Sequence, residues 1–283
     1  MEKTVLWQPQ EGPQTAFCQR QEFEVLYGGA AGGGKSDALL MEGLRQIHIP
    51  GYRAIYFRRT FPNLQHTIDR SFEIFPAYGG KWNGEQRRWM FPSGASYKFG
   101  HMKDENDKHQ YQSQEYAYIA FDELTEFLES QYLYLHSRCR TSKAGIRCYI
   151  RCASNPGNIG HAWVKRRFID PMPPYATFSD SETGLTRAFI PAKVYDNKIL
   201  MMADPLYVKR LENLPEHERR MLMDGDWDVF AGQAFGEIRR GLHIVKPFAL
   251  HSGWFKFASL DWGYSRPFSI GWWAVDGDSR LIR

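Results

Sequence analysis

Residues 29–36 match the pattern G-x-x-x-x-G-K-[ST] of a phosphate-binding loop. The loop follows a short apolar segment, 23–27, that predicts a strand, and it precedes a run, 37–41, that predicts a helix. Glycines let such a loop turn tightly and aim its N–H groups at phosphate oxygens, and the helix N-terminus adds a favourable dipole. We therefore expect the loop to bind a nucleoside triphosphate through Gly29, Ala30, Ala31, Gly32, Gly33, Gly34, Lys35 and Ser36.

Within this loop, Lys35 is expected to reach the β- and γ-phosphates, and the Ser36 hydroxyl is expected to bind Mg²⁺. A flexible glycine-rich linker that ends in Lys-Ser by chance is the alternative. The strand before the loop and the helix after it favour the phosphate site.

Adjacent carboxylates, Asp122 and Glu123, follow the apolar segment 116–121. In ATP hydrolysis the first carboxylate of such a pair can hold Mg²⁺ and the second can act as general base on water. A kinase needs no water-activating glutamate, so the pair favours hydrolysis over transfer to a substrate. The alternative is a surface Asp-Glu pair at a strand end.

Ser154 and Asn155 end the next predicted strand, 148–153. Small polar side chains at the carboxyl edge of a parallel sheet can contact the γ-phosphate or the attacking water. The alternative is an ordinary Asn-Pro-Gly turn. We expect these two residues to sense the state of the γ-phosphate.

Strands and helices alternate along the chain, which predicts a mostly parallel sheet with helices on both faces. The fold class is therefore α/β. Residues 89–91 and 96–99 flank Pro-Ser-Gly and predict a hairpin. Further strands are predicted at 53–58, 116–121 and 148–153, and helices at 64–75 and 125–137.

The composition is that of an ordinary globular protein, with 283 residues, 43% hydrophobic residues and 24% charged residues. Apolar runs are far shorter than 18 residues, so no membrane span is predicted. The amino terminus lacks an apolar signal-peptide core, so we expect a cytosolic protein. The four cysteines lack the paired C-x₂-C spacing of a zinc site.

Basic residues are concentrated between Arg138 and Arg167, where eight occur without an Asp or Glu. The net charge of +4 is too small to indicate a nucleic-acid partner by itself. The stretch could supply phosphate contacts to a polyanion. The alternatives are a solvated basic face and arginines that point at the nucleotide.

Together these motifs resemble the large terminase subunit of tailed bacteriophages, the ATP-driven motor that packages DNA into a procapsid. The resemblance runs nearly from end to end, and Gly-Asp-Trp and Asp-x-Gly make it more specific than the phosphate loop alone. The segments that carry it are 7–17, 28–36, 121–126, 153–157, 196–197, 214–220, 225–228 and 260–264.

The resemblance implies an ASCE-type P-loop ATPase domain over 1–200, a linker or subdomain over 201–250, and the first part of an RNase H-like nuclease domain over 251–283. It implies that the chain hydrolyses ATP with Mg²⁺ and translocates double-stranded DNA in the cytoplasm of an infected bacterium, outside the mature virion. The implied partners are the portal protein, the small terminase subunit and further copies of the chain in a ring.

By the same resemblance, Gln14 is the candidate adenine contact, because its amide offers a donor and an acceptor. Ser154 and Asn155 correspond to the motif that couples hydrolysis to DNA movement. Some family members carry an arginine inside the phosphate loop, but positions 30–33 here are Ala, Ala, Gly and Gly. An arginine finger must therefore lie elsewhere. Arg140 with its neighbour Arg138 is one candidate, and Arg58 with Arg59 is the rival.

Asp261 resembles the first metal ligand of the nuclease, which uses two divalent metal ions. Only 22 residues follow it, including Asp276 and Asp278 in a predicted hairpin turn. A complete fold of this type needs on the order of 100 residues or more. We therefore expect an incomplete metal site and no DNA cleavage by this chain.

Two other functions remain open at this point. One is a helicase-like or other nucleic-acid translocase with the same nucleotide chemistry. The other is an inactive prophage remnant that only binds ATP or DNA.

Overall fold

The computed structural model describes residues 5–229, 243–262 and 268–283. The chain divides into two compact units, residues 1–236 and residues 237–283. The predicted division at 200 and 250 remains a prediction, and part of its middle segment lies outside the described residues. No helix in the described ranges is long and apolar enough to cross a membrane.

The first unit contains eight α-helices and nine strands within its described residues. Their bounds are α1 Pro13–Gln19, β1 Glu24–Gly29, α2 Lys35–Glu42, β2 Arg53–Arg58, α3 Phe61–Ile74, β3 Lys81–Asn83, β4 Arg88–Met90, β5 Ser96–His101, β6 Tyr118–Asp122, α4 Glu129–His136, β7 Tyr149–Ser154, α5 His161–Val164, β8 Thr177–Ser179, β9 Thr186–Ala192, α6 Lys198–Ala203, α7 Tyr207–Glu212 and α8 Glu216–Leu222.

One sheet runs through this unit in the order β3-β4-β5-β2-β6-β7-β1-β9-β8. The central strands β5, β2, β6, β7, β1 and β9 are parallel, and the outer strands pair antiparallel. The predicted α/β class with a mainly parallel sheet is confirmed. The predicted hairpin is also present, because β4 and β5 form an antiparallel pair.

The central strands are buried on both faces, which explains their nearly continuous apolar sequences. Strand β9 was not predicted, although it pairs with β1 over six residues. The predicted helix 64–75 begins earlier, at Phe61, because Pro62 occupies the first turn, where a missing N–H costs nothing. The predicted helix 125–137 is a 3-10 turn, Leu124–Glu126, followed by α4.

Parallel pairing places the carboxyl ends of β1, β6 and β7 side by side. In the register, Gly28 lies opposite Ser154 and Asp122 lies opposite Ala153. The phosphate loop, the Asp-Glu pair and the Ser-Asn pair therefore meet at one edge of the sheet. Side chains that are far apart in sequence converge there because each follows its own strand.

Behind this edge, a buried carboxylate connects three elements. Glu24 in β1 is fully buried and receives both a 2.8 Å and a 3.0 Å hydrogen bond from Arg167. Tyr132 in α4 donates at 2.5 Å, and His136 lies 3.5 Å away. Burial alone would raise the pKa of Glu24, but hydrogen bonds from His136 and Arg167 outweigh it and lower the pKa to about 2. The ionised carboxylate is thus part of the folded core.

We expect Glu24→Gln to destabilise the first unit by about 3–5 kcal/mol at neutral pH, because Arg167 would lose its buried counterion. The stabilisation from Glu24 is complete above its ordinary pKa of 4.5 and is lost as pH falls from there toward about 2. The gap between wild type and variant should therefore shrink in acid. Urea unfolding at several pH values measures it.

The matched control is Glu73→Gln, since Glu73 is exposed and pairs with Arg70 on the surface. We expect that change to cost at most about 1 kcal/mol. Equal losses for the two variants at neutral pH would contradict a special role of the buried carboxylate.

The second unit contains three strands among its described residues. They are β10 Phe255–Asp261, β11 Ser269–Val275 and β12 Leu281–Ile282. Both pairs are antiparallel, and β11 and β12 flank the predicted hairpin turn. Gly263 and Tyr264 of the predicted acidic motif lie outside the described residues.

Candidate functional site

Three side chains hold the carbonyl groups of the phosphate loop. Asn197 donates to Gly32 O at 2.7 Å, Tyr27 donates to Gly33 O at 3.1 Å, and Gln14 donates to Gly34 O at 2.8 Å. In a planar trans peptide the N–H that follows a carbonyl points in the opposite direction. The N–H groups of Gly33, Gly34 and Lys35 therefore point away from these donors. They remain available to bind an anion.

Lys35 lies at the start of α2 and is buried. Its ammonium group donates to Ala30 O at 2.5 Å and to Asn155 Oδ1 at 2.8 Å. Burial lowers the pKa of Lys35, while Glu123 and Asp122 act in the opposite direction. Lys35 thus connects the phosphate loop to the end of β7.

Ser36 and Asp122 form a possible metal site. Ser36 Oγ donates to Asp122 Oδ1 at 3.1 Å, and Arg58 donates to Asp122 Oδ2 at 2.7 Å. A hydroxyl and a carboxylate are the oxygen donors that Mg²⁺ prefers. The pair therefore fits the metal that accompanies a triphosphate.

Glu123 follows β6 in a left-handed backbone conformation, with a φ of 55°. Such a conformation is uncommon for a residue other than glycine and marks local strain. Its Oε2 accepts a 3.4 Å hydrogen bond from the Asn155 N–H. Burial and the neighbouring Asp122 raise the pKa of Glu123, although Lys35 and Arg58 oppose the shift. A raised pKa brings a carboxylate nearer to the value suited to a general base.

The structure separates the predicted Ser154-Asn155 pair into two environments. Ser154 is fully buried and bonds to Thr125, whose N–H lies at 3.1 Å and whose hydroxyl lies at 2.9 Å. It therefore fixes the turn after the Asp-Glu pair. Asn155 alone reaches Lys35. Thr125 carries no sequence signal of its own, and only the packing of the two strand ends reveals it.

A cavity of about 620 Å³ opens beside Gly34, in the position expected for a nucleoside. Gln14 lines it, but its amide already accepts from the Gln10 N–H at 2.6 Å and donates to Gly34 O. Asn197 links Gln10 to the phosphate loop. Arg70 and Asp37 form an ion pair at the wall. The family resemblance placed Gln10 in an adenine-side segment, 7–17, but sequence reasoning assigned no role in this cavity to Asn197 or Arg70.

The sequence model of the family described as Terminase large subunit, T4likevirus-type, N-terminal, matches residues 26–238. The chain belongs to this family. No curated protein matches it at the level of sequence. The predicted relationship to large terminase subunits is confirmed.

Solved structures agree with this assignment. A large terminase from a thermophilic bacteriophage, in complex with ADP, is similar at 17% identity and a TM-score of 0.61. That alignment covers 95% of this chain and 65% of the other, so this chain spans about 65% of the length of that terminase. The large terminase ATPase domain of Thermus phage P74-26 is similar at 13% identity and a TM-score of 0.55, covering 77% and 93%. At these identities the comparison shows a shared fold.

The terminase chain places its two arginine candidates at opposite ends of β6. Arg140 is exposed, and its N–H donates to Tyr116 O, which precedes the strand. Arg58 instead contacts Asp122 at the other end. Within one chain, therefore, Arg58 is beside the phosphate loop and Arg140 is remote from it. The assignment of Arg140 stays a prediction that only a neighbouring subunit's site could satisfy.

The Gly-Asp-Trp segment of the terminase chain packs against the phosphate loop. Gly225 has a φ of 66°, and a Cβ there would lie 2.7 Å from the Ala30 nitrogen. A Cβ added to Gly28 would lie 3.2 Å from the Trp227 ring. Ala31 N–H also donates to Leu222 O at the end of α8. The loop is thus held from α8 as well as from its own strand.

Asp261, the predicted nuclease ligand, lies at the end of β10 and is exposed. In the described ranges no group of three or more His, Cys, Asp or Glu residues could hold a metal ion. The incomplete metal site remains a prediction.

We expect Asn197→Ser to weaken ADP binding roughly five- to ten-fold, because the hydrogen bond to Gly32 O is worth about 1 kcal/mol. Serine still caps α6, where Asn197 now accepts from the Leu200 N–H. Isothermal titration calorimetry measures the affinity, and thermal unfolding checks that the cap survives. Unchanged ADP affinity in this variant would rule out the positioning role of Asn197.

Proposed function

We propose that this chain is the ATP-hydrolysing motor part of a large terminase that translocates double-stranded DNA into a procapsid. The observation that carries the proposal is the convergence of Lys35, Ser36, Asp122 and Glu123 at one edge of the parallel sheet. Family membership adds support, and a similar phage terminase has been solved with ADP and with ATP-gamma-S. The implied site of action is the cytoplasm of the infected bacterium.

In the proposed reaction, Lys35 and the loop N–H groups bind the β- and γ-phosphates, and Ser36 and Asp122 would hold Mg²⁺. The metal ion would neutralise charge on the phosphate oxygens when it is bound. Glu123 accepts a proton from the attacking water, whose oxygen bonds to the γ-phosphorus while the bond from that phosphorus to the β–γ bridging oxygen breaks and ADP leaves.

Asn155 is proposed to relay the result of hydrolysis. Its side chain holds Lys35 and its N–H holds Glu123. Loss of the γ-phosphate removes a partner of Lys35, so the contact between Lys35 and Asn155 must change with the nucleotide state. Ser154 supports this relay from the buried side through Thr125.

The remaining roles are also proposals. Gln14 contacts adenine from the wall of the cavity beside Gly34. Double-stranded DNA is the substrate, and the portal protein, the small terminase subunit and further copies of the chain in a ring are the partners. Asp261 would belong to a nuclease site that uses two divalent metals and is incomplete here.

We expect Glu123→Gln to lower ATP turnover by roughly 10²–10⁴-fold, the usual contribution of a general base. ATP binding should remain, since the loop and Lys35 are unchanged. A phosphate-release assay measures turnover, and calorimetry measures binding. Turnover that survives the change would remove Glu123 from the mechanism, and a wild-type chain that binds ATP without turnover would favour the inactive remnant.

We propose Arg58 as an arginine finger that stabilises the transferring phosphate bound by its own chain, because Arg58 contacts Asp122 and lies beside Glu123. We expect Arg58→Gln to lower turnover roughly 10³-fold or more in dilute monomeric chain, as loss of an arginine finger does. Affinity for ADP with aluminium fluoride, which mimics the transferring phosphate, should fall while affinity for ADP alone is retained.

Arg140→Gln is the matched control. It should leave dilute turnover unchanged and lower turnover only at concentrations where copies of the chain associate. The reverse pattern would place the finger on Arg140 and reduce Arg58 to a partner of Asp122.

A further inference from the structure

Basic side chains line a second cavity in the first unit, on the face of the sheet that bears Ile55 and Phe57. Side chains alternate along β5, so Lys98 lies on the face opposite buried Tyr97 and Phe99. The cavity has a volume of about 610 Å³. Its cationic lining consists of Arg53, Arg87, Arg88 and Lys98, with His101 beside them.

Two of these cations face each other across an antiparallel pair. Arg88 in β4 lies directly opposite Lys98 in β5. On the other side of Lys98, the register places Ile55 of β2, which offers no charge. Like charges directly opposite each other destabilise a sheet. The fold therefore carries a local repulsion at this position.

Within the described part of the chain, no carboxylate forms an ion pair with Arg88 or Lys98. Glu85 and Glu115 line the same cavity without pairing with either cation. Burial lowers the pKa of Lys98, and Arg88 and Arg87 lower it further. The nearest polar partner of its ammonium group is an amide oxygen, Gln114 Oε1, at 3.5 Å.

The Arg88 side chain is a second sign that polar groups around the cavity lack partners. Its Nε is buried and has no hydrogen-bond partner. A buried donor without a partner destabilises the fold. An anion in the cavity would relieve the repulsion between Arg88 and Lys98.

The basic stretch from Arg138 to Arg167 is different, because internal contacts use much of its charge. Arg167 pairs with Glu24, Arg166 with Glu129 and Lys165 with Asp228. Arg151 is fully buried and donates to the main-chain carbonyls of Glu22 and Arg20, among others. Fewer cations of this stretch are therefore available to contact a polyanion than the sequence suggested.

We propose that the cavity of Arg53, Arg87, Arg88 and Lys98 binds the phosphate groups of a duplex DNA backbone. The inference rests on the proposed role of double-stranded DNA as the substrate and adds the place where this chain holds it. The four cations of the cavity outnumber its two glutamates, Glu85 and Glu115. Phosphodiester oxygens would supply the further negative charge and the acceptors for these cations. Because no base edge is needed, the contact is independent of sequence.

The test compares two double variants of the full chain in a fluorescence-anisotropy assay with a labelled random DNA duplex, without nucleotide and across a range of salt concentrations. Arg88→Gln/Lys98→Gln changes the cavity. Arg138→Gln/Lys143→Gln removes the same charge from the stretch that the sequence predicted. Each lost phosphate contact should lower the slope of log affinity against log salt by about 0.9.

We expect the slope of log affinity against log salt to fall by about 2 in the cavity variant and to stay unchanged in the control. Thermal unfolding should show the cavity variant to be at least as stable as wild type, since a like-charge pair is removed. Equal losses in the two variants, or an unchanged slope in the cavity variant, would overturn the proposal. So would the absence of duplex binding by the wild-type chain at low salt.

Competition with the labelled duplex identifies which kind of anion the cavity binds. Inorganic phosphate that displaces the duplex at millimolar concentration, with the same dependence on Arg88 and Lys98, would reassign the cavity to a small anion. Displacement by an acidic peptide at lower concentration than by unlabelled duplex would reassign it to a protein partner. The assay contains no nucleotide, so failure of the Glu123 experiment would leave this result unaffected.

Discussion

The parallel pairing of β6 with β7 and of β7 with β1 is the constraint on which the candidate nucleotide site depends. It places Asp122 and Ser154 next to the end of the strand that leads into the phosphate loop. Lys35 can then reach Asn155, which follows it by 120 residues. A shift of one residue in any of these pairs would turn the chemical groups to the other face of the sheet.

The phosphate loop itself is held by elements outside the strand–loop–helix unit. Gln14 comes from α1, Asn197 comes from the cap of α6, and Leu222 ends α8. Each bonds to a main-chain group of the loop. The loop conformation is therefore a property of the whole first unit, and a change in the loop must be felt at α6 and α8. Such contacts connect the phosphate loop to the segment around Gly225.

The basic residues of this chain fall into two groups by their surroundings. Arg58 and Arg167 each have a buried carboxylate, Asp122 and Glu24, and serve the site and the core. Arg88 and Lys98 have none among the described residues and carry a mutual repulsion. Removing one partner of a buried ion pair leaves an uncompensated charge and is strongly destabilising. Two opposed cations instead repel each other unless an anion lies between them.

The sequence by itself determined the parallel α/β fold, the phosphate loop, the Asp-Glu pair and the family, because these depend on local patterns: glycine spacing, apolar strands and residues at strand ends. It missed β9, whose role as the neighbour of β1 comes from pairing across more than 150 residues. Only the tertiary structure separated Ser154 from Asn155, placed Arg58 at Asp122 and Arg140 at the far end of β6, and showed which cations lack a counterion. Those properties depend on long-range packing, which no local pattern encodes.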